Sequence, residues 1–151
     1  MPPPRDKKSE KEETPLQRFR KNCTEKAKPQ ADVDLPKNIS HLTSEKLSDL
    51  QNHYSAWREF TEDCLIDALA ESTSARINYE YEYDLKLLQL IPLSKTKVHA
   101  EAKARTSADI RKLYLSLSSA ELYHQLLSSK LESYNNALAT ISREITRRGN
   151  N

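Results

Sequence analysis

Glu121-Leu-Tyr-His124 sets a carboxylate and an imidazole three residues apart, so on a helix both would leave one face. That ExxH spacing serves di-metal helical bundles, which need a second ExxH and two further glutamates opposite it. The chain has a single copy. A polar residue at such a position more often fixes helix register, and we expect no metal role. Other catalytic arrangements are missing: the sequence has no Gly-rich phosphate loop, no HExxH and no nucleophile elbow. Cys23 and Cys64 lie far apart with no CxxC partner, which fits neither a zinc site nor a disulfide framework. Cys64 reads as a buried, reduced thiol on an apolar stripe. The chain is therefore expected to be no enzyme and to need no cofactor.

Phosphate chemistry has better candidates. Between Ser94 and Arg105 the chain carries Lys95, Lys97, Lys103 and Arg105 against Glu101 alone, with His99 among them. A run so poor in acids can face a phosphate backbone, or it can be a solvated face beside a turn. Tyr79, Tyr81 and Tyr83, with Arg76 and Lys86 nearby, have the makings of a stacking platform for single-stranded bases. The glutamates between them oppose that role, and ordinary packing competes with it.

These residues need elements to hold them, and the longest is written in the hydrophobic period. Ile110, Leu113, Leu117, Ala120, His124, Leu127, Leu131, Tyr134, Leu138, Ile141 and Ile145 step by three and four without a slip. That repeat predicts a coiled-coil-like helix whose narrow stripe must meet another helix, from this chain or from a copy. Leu113, Leu117, Leu127, Leu131, Tyr134, Leu138 and Ile141 are its expected oligomer seam. Leu47, Leu50, Tyr54, Trp57, Thr61, Cys64 and Ala68 repeat the pattern, and no Gly or Pro falls between Pro36 and Pro92. One helix is predicted from about 43 to 90, capped by Ser40 or Thr43 and ended by Pro92. Residues 77–87 alternate like a strand, but no second alternating segment exists to pair with them, so the helix is preferred. Ser94 offers the next cap. A last helix either runs through from about 95 or starts afresh near 107, where Thr106-Ser-Ala-Asp109 has the form of a capping box, and Gly149 stops it.

The expected fold is all-α: two long antiparallel helices that oligomerise, behind a disordered arm. Residues 1–41 hold six of the seven prolines and ten Lys or Arg against seven Asp or Glu, the composition of a mildly basic tail. Leu16 to Lys21 within it could form a short helix on a partner. Residues 42–149 make the helical domain. With 36% hydrophobic and 30% charged residues, the chain can fill helix-to-helix seams but not a large globular core. No apolar run is long enough for a membrane span and the N-terminus lacks a secretory signal, so a cytoplasmic protein without membrane contact is expected. A net charge of only +2 means that any basic surface must be local.

Tyr54-Ser-Ala-Trp57, then Ala75-Arg-Ile-Asn-Tyr79, then Ser107-Ala-Asp109, then Ala137-Leu-Ala-Thr-Ile141-Ser-Arg143 follow in an order that resembles the recombination mediators of T-even phages. The resemblance spans roughly residues 47–148 and rests on order and helical setting. It implies a small, self-assembling helical protein that binds single-stranded DNA. Such a protein loads a RecA-like recombinase on strands coated with single-strand-binding protein, in the host cytoplasm if phage-encoded, with no ATPase of its own. The family has a Lys-Ala-Arg motif before its aromatic pair. The matching stretch here is Ser74-Ala75-Arg76, so only Arg76 carries over, while Lys103-Ala-Arg105 has the same letters elsewhere. The alternative is a structural coiled-coil protein, a virion or scaffold component with no nucleic-acid role.

Overall fold

A computed structural model describes residues 28–30 and 34–150, and every regular element among them is helical. The chain folds as α1 (Ser44–Leu90), α2 (Lys97–Thr106) and α3 (Ala108–Gly149), with one-turn 3₁₀ helices at Ile39–His41 and Ile91–Leu93. The all-α expectation is met, and the alternating stretch at 77–87 is helical throughout.

Local chemistry sets the ends of these elements. Thr43 caps α1, its Oγ1 accepting from the Lys46 N–H at 3.3 Å, and Glu45 sits in the first turn, where a carboxylate suits the dipole. The helix runs 47 residues, about 70 Å at 1.5 Å per residue, and ends one residue before the turn that contains Pro92. The next cap is Thr96 rather than Ser94: Thr96 Oγ1 accepts from the His99 N–H at 3.2 Å. The capping box at Thr106 does not form either. Ser107 stands between α2 and α3 in an extended conformation, with ψ 140°. Its hydroxyl donates back to the Ala104 carbonyl, and Thr106 donates back to Ala102. Of the two readings for 95–148, the chain adopts the one with a fresh start near 107.

The contacts between α1 and α3 run in opposite sequence order. Tyr54 and Trp57 meet Tyr134, Arg76 meets Glu121, and Tyr79 meets Tyr114. Near the turn, Glu82, Leu85 and Gln89 share a cleft with Asp109 and Leu113. The predicted seam residues face this contact: Leu117, Tyr134 and Ile141 are buried, and Leu113, Leu127, Leu131 and Leu138 are half-buried. The partner the seam requires is thus supplied by the chain's own α1. A further copy would have to meet another face.

The seam is unequal along its length. At the end remote from the turn it is thick, with Leu47, Tyr54, Trp57, Tyr134, Ala137 and Ile141 in one buried cluster. Tyr134 lies against both Tyr54 and Trp57, with ring centroids 6.0 and 6.1 Å apart. Midway along the pair it thins to Ala68 and Ser72 on α1 and a half-buried Ala120 on α3, and nearer the turn Leu117 and Ile110 are buried again.

Two expectations are corrected at the thick end. The arm was expected to be disordered through residue 41, yet Leu35, Ile39 and Leu42 pack against the core cluster. Residues 34–43 form a strap over the open end of the helix pair. The clue lay in Leu35, Ile39 and Leu42, apolar residues in an otherwise polar stretch just before the cap. The seam was also expected to end on Ile145, which is 38% exposed. The strap covers the neighbouring face of α3 instead, so Glu144 is buried and Arg148 half-buried. Arg148 donates to the carbonyls of Leu42 at 2.7 Å and Ser40 at 2.9 Å, groups otherwise left open at the end of the 3₁₀ turn. Leu16 to Lys21 and Cys23 lie outside the described residues.

Candidate nucleic-acid interface

The short helix α2 is built to turn charge outward. Its only buried residues are Ala100 and Ala104, four apart on one face, and their size lets the helix lie close against the long pair. Every other residue of α2 except the half-buried Glu101 is exposed. Lys95, Lys97, Lys103 and Arg105 therefore all stand in solvent around the turn. Lys97 Nζ is 3.9 Å from Glu101 Oε1, an exposed pair of little strength. Lys95, Lys103 and Arg105 form no ion pair with a described residue. Two strongly exposed apolar side chains, Leu93 at 76% and Val98 at 74%, stand among these cations.

The six residues expected to touch nucleic acid thus divide. The four between 95 and 105 gather at the turn. Arg76 sits about 21 Å back along α1 and is paired with Glu121, bridging α1 to α3. Its guanidinium is exposed but ion-paired, unlike the cations of Lys95, Lys103 and Arg105. Lys86 is half-buried in the cleft it shares with Glu82 and Asp109. Neither is presented as the turn cations are.

Arg111 and Lys112, which sequence reasoning passed over, are exposed in the opening turns of α3 and extend the basic end. A signal was available. Cations near a helix N-terminus oppose the macrodipole, so a pair of them there calls for a reason outside helix stability.

The tyrosine platform does not assemble. Residues two apart on a helix point to nearly opposite sides. Tyr79 and Tyr83 stack on each other at 6.0 Å, with Tyr79 also against Tyr114, while Tyr81 faces outward at 61% exposure. Glu121 of the ExxH pair is engaged by Arg76, and among the described residues no three His, Cys, Asp or Glu come together. Cys64 is half-buried and free, with burial and then the nearby Asp67 and Asp63 carboxylates pushing its thiol pKa up. That makes it a poor nucleophile. Among the described residues no helix is long and apolar enough to cross a membrane.

No family model matches the chain, and neither a curated protein nor a solved structure does so.

Proposed function

We propose that this is a non-enzymatic, self-associating helical protein that binds single-stranded DNA at its turn end. There it assists the loading of a RecA-like recombinase on strands coated with single-strand-binding protein. The observation that carries the reading is the acid-poor cluster of Lys95, Lys97, Lys103 and Arg105 on an element whose inward face is two alanines. Such an element adds almost nothing to the core, so its charges need another use. Flexible cations with exposed apolar neighbours suit the backbone and splayed bases of a single strand. The order of short motifs shared with the T-even-phage mediators supports the recombination setting and a cytoplasmic site of action. An antiparallel hairpin that assembles with copies of itself is the frame for this activity.

The experiment is binding of a fluorescent oligonucleotide by the full chain and by a variant with Lys95, Lys97, Lys103 and Arg105 changed to Glu. The reading expects affinity to fall at least tenfold in the variant with helicity unchanged. Equal affinity would remove the turn as the DNA site. The second reading, a structural scaffold component without nucleic acid, draws on the exposed apolar side chains along the turn half of both long helices. Failure of the full chain to bind any single strand at low salt would favour it.

A further inference from the structure

Residues 28–30 enter along one side of α1. Lys28 Nζ lies 5.9 Å over the Trp57 ring, and Trp57 Nε1 donates to the Gln30 carbonyl at 2.9 Å. Gln30 shares a cleft with Lys46, Leu50 and His53 of the helix. On a helix packed with a 3.5-residue repeat, a position returns to the same side every seven residues. Counting by sevens from His53 leads to Phe60, Asp67, Ser74 and Tyr81, and from Trp57 to Cys64, Glu71 and Asn78. The stretch from Asp67 to Tyr81 therefore continues the side on which residues 28–30 lie.

Along that side the helix pair opens into a groove of about 790 Å³. Ala70, Ser74, Ile77 and Tyr81 of α1 form one wall, and Ser116 and Ala120 of α3 the other. The small residues leave the space, and the large apolar ones stand uncovered, Ile77 at 62% and Tyr81 at 61% exposure. The approach to the groove is acidic: from Arg58 to Ser74, α1 carries Glu59, Glu62, Asp63, Asp67 and Glu71 against Arg58 alone. Asp67 Oδ1 is buried with no hydrogen-bond donor among the described residues. A shielded carboxylate oxygen costs stability until a donor reaches it. An apolar slot behind an acidic approach suits a segment that is apolar at its far end and cationic along its length.

The chain owns such a segment. From Leu16 to Lys28 it carries five Lys or Arg against Glu25 alone, with Leu16 and Phe19 at the far end. Reach decides whether the two can meet. Phe19 is nine residues before Lys28 and Leu16 twelve, spans of at most roughly 30 and 40 Å. Along α1, Ile77 is about 30 Å and Tyr81 about 36 Å beyond Trp57, over which Lys28 lies. Lys21, seven residues before Lys28, spans up to roughly 23 Å. Glu71 is about 21 Å beyond Trp57. Apolar residues thus reach the apolar groove in the same register in which cations reach the acids. A short tether also holds its segment at roughly millimolar effective concentration, so little intrinsic affinity is needed.

We propose that residues 16–21 dock in this groove of their own chain. Leu16 and Phe19 cover Ile77 and Tyr81, and the cations behind them lie along Asp63, Asp67 and Glu71. The groove is then a receptor for a basic, apolar-tipped peptide, and the arm's charge is neutralised on α1 and withheld from nucleic acid. This inference does not depend on DNA binding at the turn.

The test uses the full chain with Cys23→Ser, Cys64→Ser and Gln17→Cys, joined either to Ser74→Cys in the groove or to Glu62→Cys on the other side of α1. Both partner positions are exposed. Both also lie within the roughly 36 Å that eleven residues can span from Lys28 to position 17. Under mild oxidation at low salt, the disulfide between positions 17 and 74 should form at least tenfold faster than that between 17 and 62. It should run at single-chain mass on a denaturing gel. Adding Asp67→Asn with Glu71→Gln, or Leu16→Ser with Phe19→Ser, should bring the two rates together while helicity stays unchanged. Equal rates at the start, a 17–74 rate that neither pair of substitutions lowers, or a disulfide formed only between two chains would each overturn the proposal.

Discussion

Glu144 accepts from two guanidinium groups at once, both at 2.8 Å from Arg147 and at 2.8 Å from Arg148, while Arg148 also grips the strap. Hydrogen bonds from Arg147 and then Arg148 lower the Glu144 pKa to about 2. A carboxylate depressed in the folded state stabilises it above its unfolded value, near 4.3, and that contribution fades as pH falls from there toward 2. Glu144→Gln should therefore lower the melting temperature at pH 7, with the difference from the unaltered chain shrinking below about pH 4 and gone near pH 2. Melting followed by circular dichroism across that range checks it, and a constant difference would contradict the assignment. Arg148→Ala should cost about 1–2 kcal/mol by leaving strap carbonyls without their charged donor. Arg147→Ala, which makes no such strap contact, should cost less. Neither effect was legible in the sequence, where Arg147 and Arg148 read only as cations at the negative end of a helix. The strap they serve is more than a hundred residues away in the chain.

At the scale of elements, the period of three and four carried most of the information. It located both long helices, and the absence of Gly and Pro up to Pro92 fixed how far the first could run. The stops and starts that depended on a single hydroxyl were harder to read. Ser94, Thr96, Thr106 and Ser107 are all capable caps, and only the backbone path shows that Thr96 is used while Thr106 and Ser107 bond backward. The strap was missed because three apolar residues without a period look like a tail. Its anchoring changes what truncation does. Removing residues 1–27 gives a reference melting temperature. Removing 1–42 should lower it markedly, because Leu35, Ile39 and Leu42 leave the cluster and Trp57 loses the Gln30 carbonyl to which its Nε1 donates at 2.9 Å. Equal melting of the two truncations would show that the strap contributes nothing.

Taken whole, the molecule is a rod with two unlike ends. One end is locked by an aromatic core, a strap and an arginine; the other buries Ile110, Leu117 and two alanines of α2 and is basic at its tip. The candidate DNA residues were legible as a run between 95 and 105. Arg76 and Lys86 were not separable from them until Glu121 and the Glu82–Asp109 cleft came into view. The central claim is that the turn cations hold the phosphates of a single strand, and counterion release measures this directly. Each phosphate neutralised contributes about −0.7 to the slope of log affinity against log salt on single strands. Titrating a labelled oligonucleotide at several salt concentrations should give a steep slope for the unaltered chain. Replacing Lys95, Lys103 and Arg105 with Ala should make that slope shallower by about 2. A slope unchanged by those three substitutions would contradict the account.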